Sequence, residues 1–159
     1  MTQQLSEKEV RVEFVVDAPI DKAYDVFTNG IDRWWPRGHH IGKGELAQEV
    51  IEPRQGGRCF GREVDGTECP WGTVLVWDPP RHFAFSWEIG LNWQHETDPE
   101  RASRVDVAFE PVTADRTAVT LVHSDFEKHG EGWESMRDSV RSKDGWADLA
   151  NAYAKAAAA

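Results

Sequence analysis

Val10, Val12, Phe14 and Val16 alternate with Arg11, Glu13 and Val15, the period of two that a strand with one buried face imposes. A first strand is therefore expected over about 10–17. Asp17-Ala18-Pro19 follows, and Ile20, Ala23, Tyr24 and Phe27 then recur at helical spacing. Pro19 suits the first turn, where the amide it lacks has no partner to lose. Asn29-Gly30 stops this helix, and a second short helical piece from Ile31 to Trp35 ends at Pro36. The Gly- and His-rich stretch from Arg37 to Gly44 reads as a loop.

Six strand-like runs come next, at about 45–53, 57–64, 67–77, 82–89, 103–111 and 116–125. Turn-forming residues divide them, among them Arg54-Gln55-Gly56, Asp65-Gly66, Asp78-Pro79-Pro80-Arg81 and Thr113-Ala114-Asp115, with one long loop from Gly90 to Ala102. After Gly132 the spacing is helical to the end, through Trp133, Met136, Val140, Trp146, Leu149 and Tyr153, and Gly145 predicts a weak point or a break. The class is α+β: an antiparallel sheet of about seven strands, two short helices after the first, and a long C-terminal helix covering one face.

The length of 159 residues suits one domain over 1–159, with 1–9 and 156–159 expected to be flexible. A net charge of -10 opposes binding to a phosphate backbone, so a nucleic-acid partner is excluded. No stretch is long and apolar enough to span a bilayer, and MTQQLSEKE is too polar for a signal peptide, so a cytoplasmic location is expected. A two-residue turn at Asp65-Gly66 sets Cys69 opposite Arg62, and Cys59 then lies three positions further along on the opposite side of the sheet. That register disfavours a disulfide. The eight Trp are the unusual feature of the composition.

Asp17-Ala18-Pro19, Trp34-Trp35-Pro36, Gly56-Gly57-Arg58, Asp65-Gly66, Trp71-Gly72-Thr73-Val74, Asp78-Pro79-Pro80, Phe85-Ser86-Trp87, His123 and Gly145-Trp146 occur in that order across nearly the whole chain. Together with the element order, they resemble the helix-grip superfamily of START and birch-pollen-allergen-like proteins, and within it the group named for the activator of the heat-shock protein 90 ATPase. The Trp-Trp-Pro and Gly-Trp words are also similar to those of the small enediyne self-resistance proteins. The resemblance implies a curved sheet wrapped around the last helix and a cavity between them for lipids, polyketides, hormones or other apolar molecules. The true chaperone activators carry a further N-terminal domain, so a chaperone partner is not expected from the resemblance.

Register arithmetic locates the inward face. The two turns pair Val76 with Phe83, Val74 with Phe85, Gly72 with both Trp87 and Cys59, Pro70 with Gly61, and Glu68 with Glu63. Val105, Val107 and Phe109, then Val119, Leu121 and His123, continue the set. Trp35, Val74, Phe85, Trp87 and Trp146 are the expected walls of a ligand site, each also able to serve simply as core. Gly72 and Cys59 leave space beside Trp87, while Glu63 and His123 are the expected polar anchors. A Glu63/Glu68 pair sharing one site would raise one carboxyl into the range of a general acid, although beside a turn both can stay solvated. His39-His40 lack a third ligand, so no metal site is expected, and no motif implies a cofactor or a covalent nucleophile. The expected function is binding of a small, largely apolar ligand, with reaction chemistry not required. The rivals are a cofactor-free cyclase, dehydratase or isomerase, and an interaction module built on the loop around Leu91 to Trp93.

Overall fold

The structure is a computed structural model that describes residues 2–5, as backbone, and 8–159. Its strands are β1 (Thr2–Leu5), β2 (Val10–Val16), β3 (Leu46–Ile51), β4 (Arg58–Glu63), β5 (Glu68–Asp78), β6 (His82–Trp87), β7 (Ser103–Thr113) and β8 (Arg116–Ser124). The helices are α1 (Ile20–Phe27), α2 (Trp133–Arg141) and α3 (Trp146–Ala158), with short 3-10 turns between elements. All strands join one antiparallel sheet in the order β1-β2-β8-β7-β6-β5-β4-β3, the helix-grip arrangement. The strand beyond the seven expected is β1, whose sequence TQQL has no apolar alternation to reveal it. Residues 1, 6 and 7, part of the stretch 1–9 expected to be flexible, lie outside the described residues. At the other end, where 156–159 were expected to be flexible, α3 continues to Ala158 and buries Ala157.

The alternating apolar positions build the inner face row by row. Val10, Val12 and Phe14 in β2 lie opposite His123, Leu121 and Val119 in β8. Val105, Val107 and Phe109 in β7 oppose the same three residues from the other side, and Phe85 and Phe83 extend two rows into β6. In α1 the stripe buries Ala23, Tyr24, Val26 and Phe27 against this face, and Pro19 stands at the N-cap rather than inside the first turn.

The long C-terminal helix is two helices. Gly145 lies at the start of α3, and a Cβ there would collide with the backbone of Val140, so the chain can turn this tightly only with glycine. Between α3 and the sheet, Tyr153 meets Phe27 and Trp34 at 5.0 and 5.4 Å, and its hydroxyl donates to the Ala23 carbonyl at 2.6 Å. Burying each such ring contributes ~1.5–3 kcal/mol. The protein's own aromatics thus fill much of the space between sheet and helix. A void of about 10 Å³ remains there, room for no more than one water.

Two hairpins depart from the expected register. The turn after β4 has three residues, Val64 to Gly66, because the Glu63 amide donates to the Thr67 carbonyl at 2.8 Å. Gly66 takes the positive φ of 92° that ends such a loop. Every partner then shifts by one, so Arg62 faces Glu68 and Gly61 faces Cys69. Because neighbouring residues point to opposite faces, Glu63 turns inward and Glu68 outward, where Arg58 and Arg62 hold it at 2.9 and 3.2 Å. The expected Glu63/Glu68 pair does not form. A bulge then restores Cys59 opposite Gly72 and leaves Trp71 as the extra residue, re-aimed into the core. The hairpin between β5 and β6 slips in the same way: Asp78 faces His82, Trp77 faces Phe83 and Val76 faces Ala84, and a bulge returns Val74 to Phe85.

Candidate functional site

At one end of the packed interior, a pocket of about 360 Å³ opens between the 37–44 loop, the segment after β6 and the junction of α2 with α3. Its size falls in the range of small-molecule sites. Four indoles, Trp35, Trp87, Trp146 and the half-exposed Trp93, line it together with His40, Ile41, Ile89 and Leu149. Val74 and Phe85 are buried in the core, Phe85 against Trp71, and do not line it. Gly72 offers no room beside Trp87: a Cβ there would strike the Ser86 carbonyl oxygen, so this glycine serves close strand approach. A larger groove of about 680 Å³ runs along α3 beside Phe14, Val15 and Thr120, but Glu13 is its one titratable side chain.

His123 stands behind the pocket wall, fully buried. The Trp146 indole N–H donates to its Nδ1 at 3.0 Å. An indole nitrogen can only donate, so the ring proton of His123 is on Nε2 and is given to Ser103 Oγ at 2.7 Å. The Ser103 hydroxyl then donates to His129 Nε2 at 2.8 Å. The proton of His129 is left on Nδ1, which has no partner. Burial pushes His123 well below the usual imidazole range and lowers His129 as well. This chain is neutral, and its product is a fixed Trp146 ring. Trp87 packs on His123 at 5.1 Å, and its buried Nε1 is also without a partner.

On the loop side acidic groups and a thiol join the imidazole. His40 Nε2 meets Glu63 Oε2 at 2.9 Å, both side chains being buried. Gly44 N–H donates to the same oxygen at 2.7 Å. The His40 bond, then the Gly44 amide, hold the Glu63 carboxyl below the usual range. Cys69 in β5 completes a cluster with His40 and Glu63, and its thiol is raised first by burial and then by Glu63. Nearby in β3, Glu49 Oε2 accepts the Trp71 indole N–H at 2.9 Å, and burial pushes this carboxyl up to about 7. Trp71 in turn stacks on Trp35 at 5.4 Å with a 13° interplanar angle.

Of the two expected polar anchors, neither lines the pocket: His123 is bonded to Trp146 and Glu63 to His40, and both of those partners do line it. His40, weighed with His39 as a weak metal pair, has Glu63 and Cys69 as its neighbours instead. Sequence reasoning passed over Glu49, weighed Cys69 for a disulfide and took Trp71 only as part of the resemblance. Glu49 had a signal, since it shares the inward parity of β3 with buried Ile51. The thiols of Cys59 and Cys69 are free. Among the described residues no helix is long and apolar enough to cross a membrane.

The profile of the family described as activator of Hsp90 ATPase homolog 1-like protein matches residues 17–156. No curated protein matches the chain. Among solved structures, the anthrahydroquino-γ-pyrone synthase Txn09, complexed with SUM, is 36% identical over 93% of this chain and 99% of that one, with a TM-score of 0.64. The self-sacrificing resistance protein CalC from Micromonospora echinospora has a TM-score of 0.68 at 21% identity, covering 95% of this chain and 94% of that one. Protein NE0264 from Nitrosomonas europaea also has a TM-score of 0.68, at 12% identity, covering 98% and 97% of the two chains. At these last two identities the likeness is one of fold.

Proposed function

Because the chain belongs to the family of activator of Hsp90 ATPase homolog 1-like proteins, we propose that its aromatic pocket binds a flat, oxygenated polycyclic molecule of polyketide type. The observation that carries this reading is the convergence of Trp35, Trp87 and Trp146 on one pocket of about 360 Å³. Indole faces favour flat π systems in stacked or edge-to-face contact. The orphan N–H of Trp87 supports an oxygenated ligand, because a carbonyl or phenol oxygen reaching it satisfies a buried donor. The 36% identical synthase, named for an anthrahydroquinone fused to a pyrone, supports the same chemical class. A cytoplasmic setting, where thiols stay reduced, fits the free Cys59 and Cys69.

A second reading, an enzyme without cofactor that moves a proton on the bound ring system, is favoured by His40, which lines the pocket and is bonded to the Glu63 carboxylate at 2.9 Å. An imidazole oriented by a carboxylate is suited to exchange a proton with a phenol or enol.

The test is quenching of Trp fluorescence by alizarin, a hydroxyanthraquinone, with a saturated fatty acid for comparison. We expect saturable quenching by alizarin alone. Trp35→Leu removes a stacking partner worth about 1 kcal/mol and weakens alizarin about fivefold. Ser139→Trp, an exposed position at the pocket mouth, blocks it. Unsaturable quenching, or equal affinity in Ser139→Trp, overturns the reading.

A further inference from the structure

We propose that His40, Glu63 and Cys69 form a three-ligand site for a zinc-like divalent ion at the edge of the aromatic pocket. The site stands independently of the ligand reading. Their donor atoms lie within 4.8 Å of one another, and they are of three kinds, imidazole nitrogen, carboxylate oxygen and thiol sulfur. Zinc takes all three, at distances of roughly 2.0–2.3 Å.

The convergence is closer than proximity alone requires. The Cβ that Gly42 lacks would stand within 2.6 Å of His40 Nε2, Glu63 Oε2 and Cys69 Sγ. One point is therefore surrounded by three different donors at little more than zinc-bonding distance, and only glycine at residue 42 keeps a side chain out of it. An ion entering there displaces the direct His40–Glu63 bond of 2.9 Å and needs the Gly42 backbone to draw back. Glycines at 38, 42 and 44 give the loop that freedom.

The two anionic donors come from the rigid side. Glu63 ends β4 and Cys69 is the second residue of the facing β5, while His40 arrives on the loop. The Gly44 amide already bonds Glu63 at 2.7 Å, the kind of outer contact that orients a metal-binding carboxylate. A carboxylate, a thiolate and a neutral imidazole sum to the charge that one divalent cation cancels. A buried site is thus left neutral, where an unbalanced charge would be costly. Three protein ligands leave one tetrahedral position open. Since His40 also lines the pocket, a bound oxygen donor there can fill it.

The experiment titrates the full chain, freed of metal with a chelator, with cobalt(II) as a spectroscopic stand-in for zinc. We expect saturation at one equivalent, a thiolate-to-cobalt charge-transfer band in the near ultraviolet, and displacement by zinc. Cys69→Ser loses that band, and His40→Ala weakens zinc binding at least about tenfold, both with wild-type circular dichroism. Cys59→Ala keeps the band. If Cys69→Ser does not fold, the band in the wild type and in Cys59→Ala decides, because the chain has two cysteines. Lack of saturable uptake, a band that disappears in Cys59→Ala, or undiminished uptake by a His40→Ala/Cys69→Ser variant, meaning an adventitious ion only, overturns the site.

Discussion

Two buried histidines flank the same pocket and do opposite things. His123 is enclosed by the sheet, takes the Trp146 N–H and passes its own proton to Ser103, so both ring nitrogens are spent on protein partners. His40 sits on a glycine-rich loop beside a carboxylate and a thiol, with its bonds directed to groups that can take other partners. The difference shows that burial alone does not mark a functional histidine. A neutral ring with every lone pair and proton assigned holds structure together, and a ring among unbalanced donors is available for chemistry.

The comparison is broken most severely by His123→Ala. It opens a cavity and strands both Trp146 Nε1 and Ser103, so a loss of about 3 to 5 kcal/mol is expected in urea unfolding. His40→Ala, at the pocket edge, is expected to lose about 1 kcal/mol. Equal losses would show that the two histidines play the same role.

Next in size is Glu49→Gln, which stabilises. The Glu49 carboxyl titrates near 4.5 when unfolded and at about 7 in the fold, so folding favours its protonated form. That contribution is full below pH 4.5 and lost as pH rises through 7, a difference of roughly 3 kcal/mol. The variant should gain up to that amount at pH 8 and little at pH 4. An unchanged midpoint at pH 8 would put the carboxylate in contact with water.

His123 titrates the other way. Its folded pKa lies well below the unfolded value of 6.5, so its neutral burial is undisturbed above pH 6.5. Stability is lost as pH falls from there toward the folded pKa, at about 1.4 kcal/mol per pH unit. In Glu49→Gln, which lacks the opposing carboxyl titration, unfolding midpoints should fall between pH 7 and 5, with a shallower slope once His123→Ala is added. Gly42→Ala is expected to lose about 1 to 2 kcal/mol, comparable with His40→Ala, as the new methyl pushes His40, Glu63 and Cys69 apart. Unperturbed stability there would mean the loop already stands away from the cluster.

Much of the fold was legible because apolar alternation and turn residues are local signals. The strand ranges, the stripe of α1 and the break at Gly145 follow from them. Trp35, Trp87 and Trp146 were also legible as pocket walls, since aromatics near Pro36, at the end of β6 and after Gly145 border the opening. The Glu63/Glu68 pairing was not, because one additional turn residue, Val64, moves every partner across the sheet by one, and both readings satisfy the same alternation. Glu49 was passed over because one acid in a strand reads as a solvated face until its neighbours are known.

The sequence by itself determined the element order, the inward rows of Val, Leu and Phe, and the wealth of tryptophan, all consequences of side-chain period and backbone preference. Only the tertiary structure decided which polar groups meet. His40 reaches Glu63 across 23 residues, and His123 reaches Trp146 across the same span. The sequence signals neither meeting, since period and backbone preference are local, and beside Glu63 a turn one residue longer than expected also moves its cross-strand partners, a shift that reverses which side chains enter the interior.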